Sequence, residues 1–354
     1  MATQYEGLSA VLQLHLKWHK ARLKFVDLLI ITLIRERHVS FSRAASVLTN
    51  RSSLSNLRRI QRFFAQYTIN FDAIARLLVA LSPVKPPYRL SLDRTHWRFA
   101  GLEFNILCLT IVADKVSLPV LWLMLNKAGN SDTEERKELL LHYVRLFGAQ
   151  SIDYLIADRE FVGDAWFGFL AKLHIRYCIR LRANFWINYS YKPPVRLFWL
   201  FNDLPFNSAR QIQKPVLLAN QWVYLSGMRI INDKNQPEFL IVATYYFDPC
   251  ALKVYAQRWS IECFFKAIKS AGFHIEDTHL KDQQRLNKLL AVVAIAFLWV
   301  YRVGEYNNAL IPIRMKTHQR RACSIFRYGL DQLNKALLHD DQLVREYIQL
   351  LSCT

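Results

Sequence analysis

Helical patterning fills the amino-terminal part of the chain. Residues 12–34 have a helical pattern and contain neither Gly nor Pro, which predicts helical structure. A short helix is predicted at residues 42–48, a turn at 49–52 and a second helix at 53–67. The Pro-containing run 82–88 breaks this pattern and is predicted to be a linker.

The middle of the chain alternates strand-like apolar runs with helical patterns. Strands are predicted at residues 89–97, 104–112, 116–125, 154–158 and 176–181, and helices are predicted to end near residues 147 and 173. The resulting order of three strands, helix, strand, helix and strand is that of a ribonuclease-H-like α/β core. In that architecture the first and fourth strands are neighbours, so Asp93 and Asp158 are expected to meet.

Two further patterns follow this core. Residues 183–237 hold short aromatic runs separated by Pro, Asn and Gly, which predict a small β insertion, and 238–246 is predicted to be a strand that returns to the core. Residues 286–303 are predicted to form a buried helix, because the apolar run 289–301 is too short to span a bilayer. No signal peptide is predicted at the start of the chain.

Composition restricts the partner more than it restricts the fold. The chain has 47 Lys plus Arg against 28 Asp plus Glu, which gives a formal net charge of +19. This excess indicates a polyanionic partner, most simply nucleic acid, with a membrane surface as the alternative. The six Cys are scattered without metal-binding spacing, which favours a reducing cytosol over a disulfide framework or a structural zinc site.

Residues 255–269 contain the most suggestive set of polar side chains. In one amphipathic helix, Tyr255, Glu262 and Lys269 lie on a single stripe, and Arg258 lies ~40° away from it. Such a face can hold a metal ion with its carboxylate and phosphates with its two cations. A solvated helix face with ordinary ion pairs explains the same pattern equally well.

The spacing of these four residues resembles a family signature. Tyr, two residues, Arg, three residues, Glu, six residues and Lys is the YREK signature of the insertion-sequence transposases of family four, and the chain matches it at every interval. The segment ending in Asp93 resembles the first motif of that family, and residues 157–161 resemble the second. The resemblance implies a catalytic, metal-binding triad of Asp93, Asp158 and Glu262, and DNA contacts from Tyr255, Arg258 and Lys269.

The residues themselves support a metal site only in combination. An Asp at the end of an apolar strand is more often a cap or turn residue than a ligand, whereas two of them with a later helical carboxylate are more specific. Three converging carboxylates need a compensating cation, and oxygen-only ligands favour Mg²⁺, with Mn²⁺ as a substitute. Two ions ~4 Å apart would serve an in-line phosphoryl transfer. Glu160 is the rival of Asp158, which is preferred because it ends the strand.

Further DNA contacts are predicted outside the core. The short helix, turn and basic helix at residues 42–67 resemble a helix-turn-helix, although any helical bundle with one basic face has the same pattern. Its candidate DNA-binding residues are Arg51, Arg58, Arg59 and Arg62. Some members of the family stack a Trp of the β insertion on a flipped base; Trp222 and Trp199 are the candidates here, with strand packing as the alternative. The basic run 314–321 is either a solvated loop or a DNA contact.

The predicted organisation is a helical DNA-binding domain (1–82), a ribonuclease-H-like, retroviral-integrase-like core (83–182 and 238–285), a β insertion (183–237) and a helical carboxy-terminal segment (286–354). The resemblance implies a DDE transposase that binds terminal inverted repeats, cleaves DNA at the element ends and joins the 3′-hydroxyl to target DNA. It implies two Mg²⁺ ions, double-stranded DNA and a homodimer as partners, no membrane, and a bacterial cytoplasmic location at the nucleoid. The alternatives are a catalytically inactive DNA-binding inhibitor of transposition and a nuclease with the same core.

Overall fold

The computed structural model describes residues 6–48, 51–188, 193–232, 234–317 and 319–352. Parts of three sequence predictions lie outside these residues, namely Thr49 and Asn50 of the turn, residues 189–191 of the insertion and His318 of the basic run. The strands are β1 (Tyr88–Phe99), β2 (Leu102–Val112), β3 (Ser117–Leu125), β4 (Ile152–Ala157), β5 (Tyr177–Leu181), β6 (Trp186–Ile187), β7 (Val195–Arg196), β8 (Ala209–Leu218), β9 (Gln221–Ile231) and β10 (Pro237–Thr244). The helices are α1 (Glu6–His15), α2 (Lys20–Glu36), α3 (Phe41–Val47), α4 (Ser53–Gln66), α5 (Phe71–Ala80), α6 (Thr133–Phe147), α7 (Asp164–Lys172), α8 (Ala251–Ala256), α9 (Trp259–Lys266), α10 (Gln283–Leu310), α11 (Ile325–His339) and α12 (Asp341–Gln349).

Within the described residues, eight strands form one mixed sheet in the order β3-β2-β1-β4-β5-β10-β9-β8. The first three strands along the chain form an antiparallel meander. β1 then pairs in parallel with β4, and β4 pairs in parallel with β5. The predicted order of strands and helices is therefore present, and this mixed α/β sheet fits the predicted ribonuclease-H-like core.

Helices cover both faces of the sheet. α6 and α7 pack on one face, where their apolar side chains share a core with Leu92 of β1 and Leu107 of β2. α8, α9 and α10 cover the other face, towards which Trp97 of β1 points. Because successive residues of a strand point to opposite faces, Asp93 faces the second layer of helices and its neighbour Arg94 faces the first.

The insertion lengthens the core sheet instead of forming a separate unit. β10 pairs antiparallel with β5, β9 and β8 follow it, and the short strands β6 and β7 pair with each other. The strand predicted at residues 238–246 is β10, and it does return to the core. Without β10, β5 would be an edge strand with unpaired N–H and C=O groups. The insertion strands β9 and β8 extend the sheet beyond β10.

The amino-terminal and carboxy-terminal helices pack together around α10. The buried side chains of α1 to α5 share one core with those of α10 to α12 and with Phe264 of α9. Arg37, which follows α2, forms an ion pair with Asp331 of α11 at 2.8 Å. The helices of the predicted segments 1–82 and 286–354 are thus parts of one helical layer, although they are distant in the sequence.

α10 is longer than the helix predicted at residues 286–303. It has 28 residues and, within the described part of the chain, it is the one helix long and apolar enough to cross a membrane. Its most apolar window is 83% buried inside the protein, since the sheet and the other helices surround it. A helix that is apolar on all sides and packed in this way is a core helix, so the prediction of burial is confirmed and the predicted length is wrong.

The single helix predicted at residues 255–269 is interrupted. Residues 257–258 separate α8 from α9, and a π-helical turn, Ala267–Ala271, follows α9. At the first interruption the N–H of Arg258 donates to the carbonyl of Tyr255 (2.9 Å), an i→i+3 bond that tightens the chain. Periodicity alone does not predict such a break, because the apolar spacing continues through it.

Candidate active site

Two aspartates lie side by side where β1 and β4 run in parallel. Leu92 of β1 is the register partner of Ala157, the last residue of β4. Asp93 and Asp158 follow these partners directly, so the parallel pairing places them next to each other. The side chain of Asp93 is only 15% exposed, which leaves its carboxylate largely dehydrated.

The junction between α8 and α9 brings more polar side chains to these aspartates. The hydroxyl of Tyr255 donates to Oδ1 of Asp158 (3.1 Å), and Nη1 of Arg258 donates to Oδ2 of Asp93 (2.7 Å). Nη2 of Arg258 donates to Oε1 of Glu262, one turn further along α9. Two of the three carboxylates singled out in the sequence, Asp93 and Glu262, therefore bond to one guanidinium group, and Asp158 bonds to the neighbouring Tyr255. Each carboxylate comes from a different part of the fold.

Burial and charge act on this group in opposite directions. Burial raises the pKa of Asp93 to about 6, although the charge of Arg258 and the N–H of Arg94 lower it. Burial alone would lower the pKa of Arg258, but Tyr255 and the three carboxylates raise it overall. Arg258 therefore stays charged, and it compensates carboxylates that would otherwise repel one another.

Lys269 has different partners from the rest of the signature. It lies in the π-helical turn, where its Nζ donates to the carbonyl of His96 (2.9 Å) and pairs with Glu276 (2.7 Å). The same ammonium lies 5.5 Å from the centre of the Trp97 ring. The π-helical turn thus moves Lys269 off the stripe that it would share with Glu262 in a regular helix.

Glu160, the rival ligand, belongs to the opposite layer. Its Oε2 accepts from Nη2 of Arg94 at 3.4 Å. Arg94 also donates to Asn105 (3.0 Å) and to Asn130 (3.1 Å), which lies just before α6. Glu160 therefore bonds towards the α6 layer, although its negative charge still helps to raise the pKa of Asp93. Asp158 differs from it in accepting from Tyr255, on the side of α8.

Arg94 and Asn105 bond to each other close to Asp93, and the sequence patterns did not indicate either of them. Besides its contact with Arg94, Asn105 donates to the carbonyls of Lys127 and Gly129, both at 2.9 Å, and so holds the loop after β3. The available signals were an Arg directly after Asp93 and a single amide in the otherwise apolar run of β2.

The chemistry of the carboxylate group fits a divalent cation. The three side chains offer only oxygen atoms as ligands, and their negative charges need a compensating cation. In this structure Arg258 provides that positive charge to Asp93 and Glu262. Within the described part of the chain, no three His, Cys, Asp or Glu side chains form a group spaced to hold a metal ion. Arg258 bridges Asp93 and Glu262, so the carboxylates meet at this guanidinium rather than at metal-bridging distance from one another.

The third and fourth amino-terminal helices, α3 and α4, pack through a buried amide. Nδ2 of Asn56 lies within hydrogen-bonding distance of the carbonyls of Ala45 (3.2 Å), Leu48 (2.7 Å) and Arg51 (3.3 Å). It therefore joins α4 to the end of α3 and to the described part of the connection between them. Sequence reasoning overlooked Asn56, although a polar residue on the apolar side of α4 was the available signal.

The candidate arginines of this region are not equivalent. Arg51, Arg58 and Arg62 are exposed to solvent. Arg59 is half-buried, with its guanidinium 4.6 Å from the centre of the Phe25 ring, and burial lowers its pKa. The first three are accessible to a phosphate, whereas Arg59 packs against α2.

The candidate tryptophans of the insertion lie at the surface. Trp222 and Trp199 are 61% and 59% exposed, so packing within the core does not account for either of them. Trp186 of β6, which sequence reasoning did not single out, is 56% exposed, and Arg196 of β7 lies 4.1 Å from the centre of its ring. The aromatic run around Trp186 was the available signal.

The basic run 314–321 is partly neutralised. Arg321 forms an ion pair with Asp114, in the turn between β2 and β3, at 2.6 Å. That turn lies beside the start of β1, since Leu90 is the register partner of Ile111, whereas the carboxylate group lies further along β1. The run is therefore separate from the candidate active site.

The sequence of the chain matches the model of a known family. The model of a family described as Transposase DDE domain matches residues 85–299. The matched range contains β1, β4 and α9, and with them all three carboxylates of the candidate site. No curated protein matches the chain.

Proposed function

The chain belongs to the transposase DDE-domain family, and we propose that it is the transposase of an insertion sequence similar to those of family four. It binds the terminal inverted repeats of its element, cleaves the DNA at the ends and joins the new 3′-hydroxyl groups to target DNA. Its partners are double-stranded DNA and a second copy of the chain. It acts in the bacterial cytoplasm on the DNA of the nucleoid.

The observation that most directly supports this proposal is the carboxylate group itself. Asp93, Asp158 and Glu262 come from β1, the end of β4 and α9, and all lie within the range of the family match. Asp93 and Glu262 bond to Arg258, and Asp158 bonds to Tyr255 three residues before it. Dehydrating several carboxylates is costly, and such groups are concentrated at functional sites. The matching intervals from Tyr255 to Lys269 support the assignment to family four.

The residues that would hold Mg²⁺, as two ions with Mn²⁺ as a substitute, are Asp93, Asp158 and Glu262. When bound, the ions would activate the attacking water or 3′-hydroxyl and stabilise the leaving oxygen of an in-line phosphoryl transfer. The hydroxyl of Tyr255 keeps the Asp158 carboxylate oriented, and the β1 strand keeps that of Asp93 in place. Arg258 and Lys269 bind the DNA phosphates beside the cleaved bond.

DNA is held by surfaces on either side of this site. The exposed Arg58 and Arg62 of α4 bind the phosphates or base edges of the terminal repeat. Arg59 packs on Phe25 and so holds α4 against α2. Trp222 of the insertion stacks on an unpaired base near the cleaved end, an interaction worth ~1–3 kcal/mol. The net charge of +19 supports a long contact with a polyanion.

Cleavage of a labelled duplex that carries the DNA flanking the gene tests this function. Wild-type protein is expected to nick the duplex at the element end with Mg²⁺ and to stop when EDTA is added. Glu262→Ala is expected to bind the same duplex without cleaving it, because the carboxylate is lost while α4 is unchanged. Glu103→Ala is the matched control, since Glu103 pairs with Arg98 in the hairpin between β1 and β2 (2.6 Å), and it is expected to cleave normally.

The possible failures of this experiment have different meanings. Loss of both binding and cleavage in Glu262→Ala would assign a structural role to Glu262. Binding without nicking by the wild-type protein, in both Mg²⁺ and Mn²⁺, would favour the catalytically inactive inhibitor of transposition.

A further inference from the structure

We propose that Arg258 is a resident counter-ion that competes with a divalent cation for Asp93 and Glu262, and that a DNA phosphate draws it away. The inference rests on the proposed function, because it concerns how the same site takes up DNA and metal. It gives Arg258 two successive partners, the carboxylates first and a phosphate afterwards. Binding of DNA and binding of metal are then coupled through one side chain.

The contacts of Arg258 occupy the atoms with which it would bind a phosphate. Nη1 donates to Asp93 at 2.7 Å, and Nη2 donates to Glu262. The side chain is only 11% exposed. Each terminal nitrogen still has a second N–H, but with one N–H of each given to a carboxylate and little of the side chain exposed, the guanidinium is hindered from making the paired contacts with phosphate oxygens in which arginine is strongest.

The carboxylates of Asp93 and Glu262 also have hydrogen-bond donors already. Oδ1 of Asp93 accepts from the N–H of Arg94 (2.8 Å), and Oδ2 accepts from Arg258. Glu262 offers Oε1 to the same guanidinium. A cation that takes both carboxylates must therefore displace Arg258, since two positive charges held by the same oxygens repel each other strongly.

The two ion pairs of Arg258 differ in their access to solvent. The side chain of Asp93 is 15% exposed within β1, whereas that of Glu262 is 34% exposed on α9. A phosphate that arrives from solvent therefore meets the guanidinium on its Glu262 side. Arg258 lies at the junction of α8 and α9, where its long side chain can change rotamer without movement of either helix.

Linkage makes the consequence reciprocal. If a phosphate releases the carboxylates for a metal ion, the metal ion must tighten DNA binding by the same factor. Couplings between two sites usually lie in the range of roughly 5–150-fold. Protein without DNA would then have a low affinity for metal, which protects unrelated DNA from cleavage.

A purely structural role for Arg258 predicts the opposite result. If the guanidinium only orients Asp93 and Glu262, its removal scatters the ligands and weakens metal binding. If it competes with the metal ion, its removal frees both carboxylates and strengthens metal binding.

Mn²⁺ binding to the full-length protein without DNA distinguishes the two roles, with free Mn²⁺ measured by electron paramagnetic resonance. Arg258→Gln is expected to bind Mn²⁺ roughly 5–150-fold more tightly than wild type. Lys266→Gln removes one positive charge from the exposed side of α9, four residues after Glu262. It is expected to change the affinity much less, which controls for long-range repulsion.

Two further measurements keep the test decisive. Circular dichroism establishes that Arg258→Gln is folded. Arg258→Lys keeps the positive charge but cannot bond to both carboxylates through two parallel nitrogens, so it is expected to bind Mn²⁺ with intermediate affinity. In wild type, the Mn²⁺ affinity is expected to rise when the duplex carrying the gene's flanking DNA is added. This second arm needs no variant, so it applies even if Arg258→Gln fails to fold.

The outcomes separate the inference from the proposed function. Equal or weaker Mn²⁺ binding by folded Arg258→Gln, or an unchanged Mn²⁺ affinity of wild type on addition of the duplex, would overturn the competition. Absence of Mn²⁺ binding by wild type with the duplex present would overturn the metal-dependent function itself, and the inference with it.

Discussion

Asp158 and Glu160 are two residues apart, yet they have partners on different sides of the sheet. Asp158 accepts from Tyr255 of α8, whereas Glu160 accepts from Arg94 on the α6 side. β4 ends at Ala157, so the strand alternation that would place both carboxylates on one face stops before either of them. The turn after β4 therefore directs Asp158, the candidate metal ligand, towards α8 and Glu160 towards its ion pair with Arg94.

Substitution of Glu160 tests this separation. Glu160→Gln is expected to lower the free energy of unfolding by about 1–3 kcal/mol, because the buried Arg94 loses its charged partner. Mn²⁺ binding is expected to stay unchanged, whereas Asp158→Asn is expected to weaken it with little loss of stability. Urea unfolding and Mn²⁺ titration of both variants measure the difference. A fall in Mn²⁺ affinity for Glu160→Gln as large as that for Asp158→Asn would return Glu160 to the ligands.

α4 divides its arginines between packing and exposure. Arg59 lies against Phe25 of α2, whereas Arg58 and, one turn later, Arg62 are exposed to solvent. A helix turns ~100° per residue, so the consecutive residues Arg58 and Arg59 have different surroundings. The same helix is joined to α3 through the amide of Asn56, which fixes the direction in which the exposed arginines point.

Replacement of each arginine by alanine is expected to give different results. Arg62→Ala is expected to weaken binding of the terminal repeat and to reduce the slope of log affinity against log salt by about 1, as for one lost phosphate contact. Arg59→Ala is expected to lower the free energy of unfolding by ~0.5–2 kcal/mol through its lost contact with Phe25, and to keep the salt slope. Fluorescence anisotropy at several salt concentrations and urea unfolding provide both quantities. An unchanged salt slope for Arg62→Ala would remove Arg62 from the DNA contacts.

The whole molecule is held together by the helical layer around α10, and that layer depends on two glycines. An added Cβ at Gly329 of α11 would lie 2.0 Å from the carbonyl oxygen of Val300, and one at Gly304 of α10 would lie 2.1 Å from that of Ile325. The backbones of α10 and α11 therefore approach too closely for any side chain between them. This contact connects the carboxy-terminal helices to the layer that covers Asp93.

Gly329→Ala is expected to destabilise the protein by about 1–3 kcal/mol, because the methyl group forces two packed backbones apart. The matched control is Gly163→Ala, before α7, where an added Cβ meets nothing within 4 Å and the backbone is extended. Thermal unfolding of both variants measures the effect. Equal midpoints would show that α10 and α11 separate at little cost.

Much of this architecture follows from local patterns in the sequence. The five core strands, the burial of α10 and the position of Asp158 after an apolar run depend on side-chain periodicity and run length, which are properties of neighbouring residues. Asp93, expected at the end of a strand, lies inside β1. The family match agrees with the transposase indicated by the intervals between Tyr255 and Lys269. The metal and DNA roles of the individual residues stay predictions.

Other features depend on contacts between residues that are distant in the sequence. The insertion joins the sheet because β9 pairs with β10, Glu160 turns towards Arg94 because Arg94 attracts it, and Arg258 lies between Asp93 and Glu262 because the junction of α8 and α9 is tightened. Each of these is set by hydrogen bonds or charges between elements that meet only in the folded chain. Local periodicity contains no information about them, and for that reason the sequence singled out the carboxylates and Arg258 but did not predict that Arg258 lies between two of them.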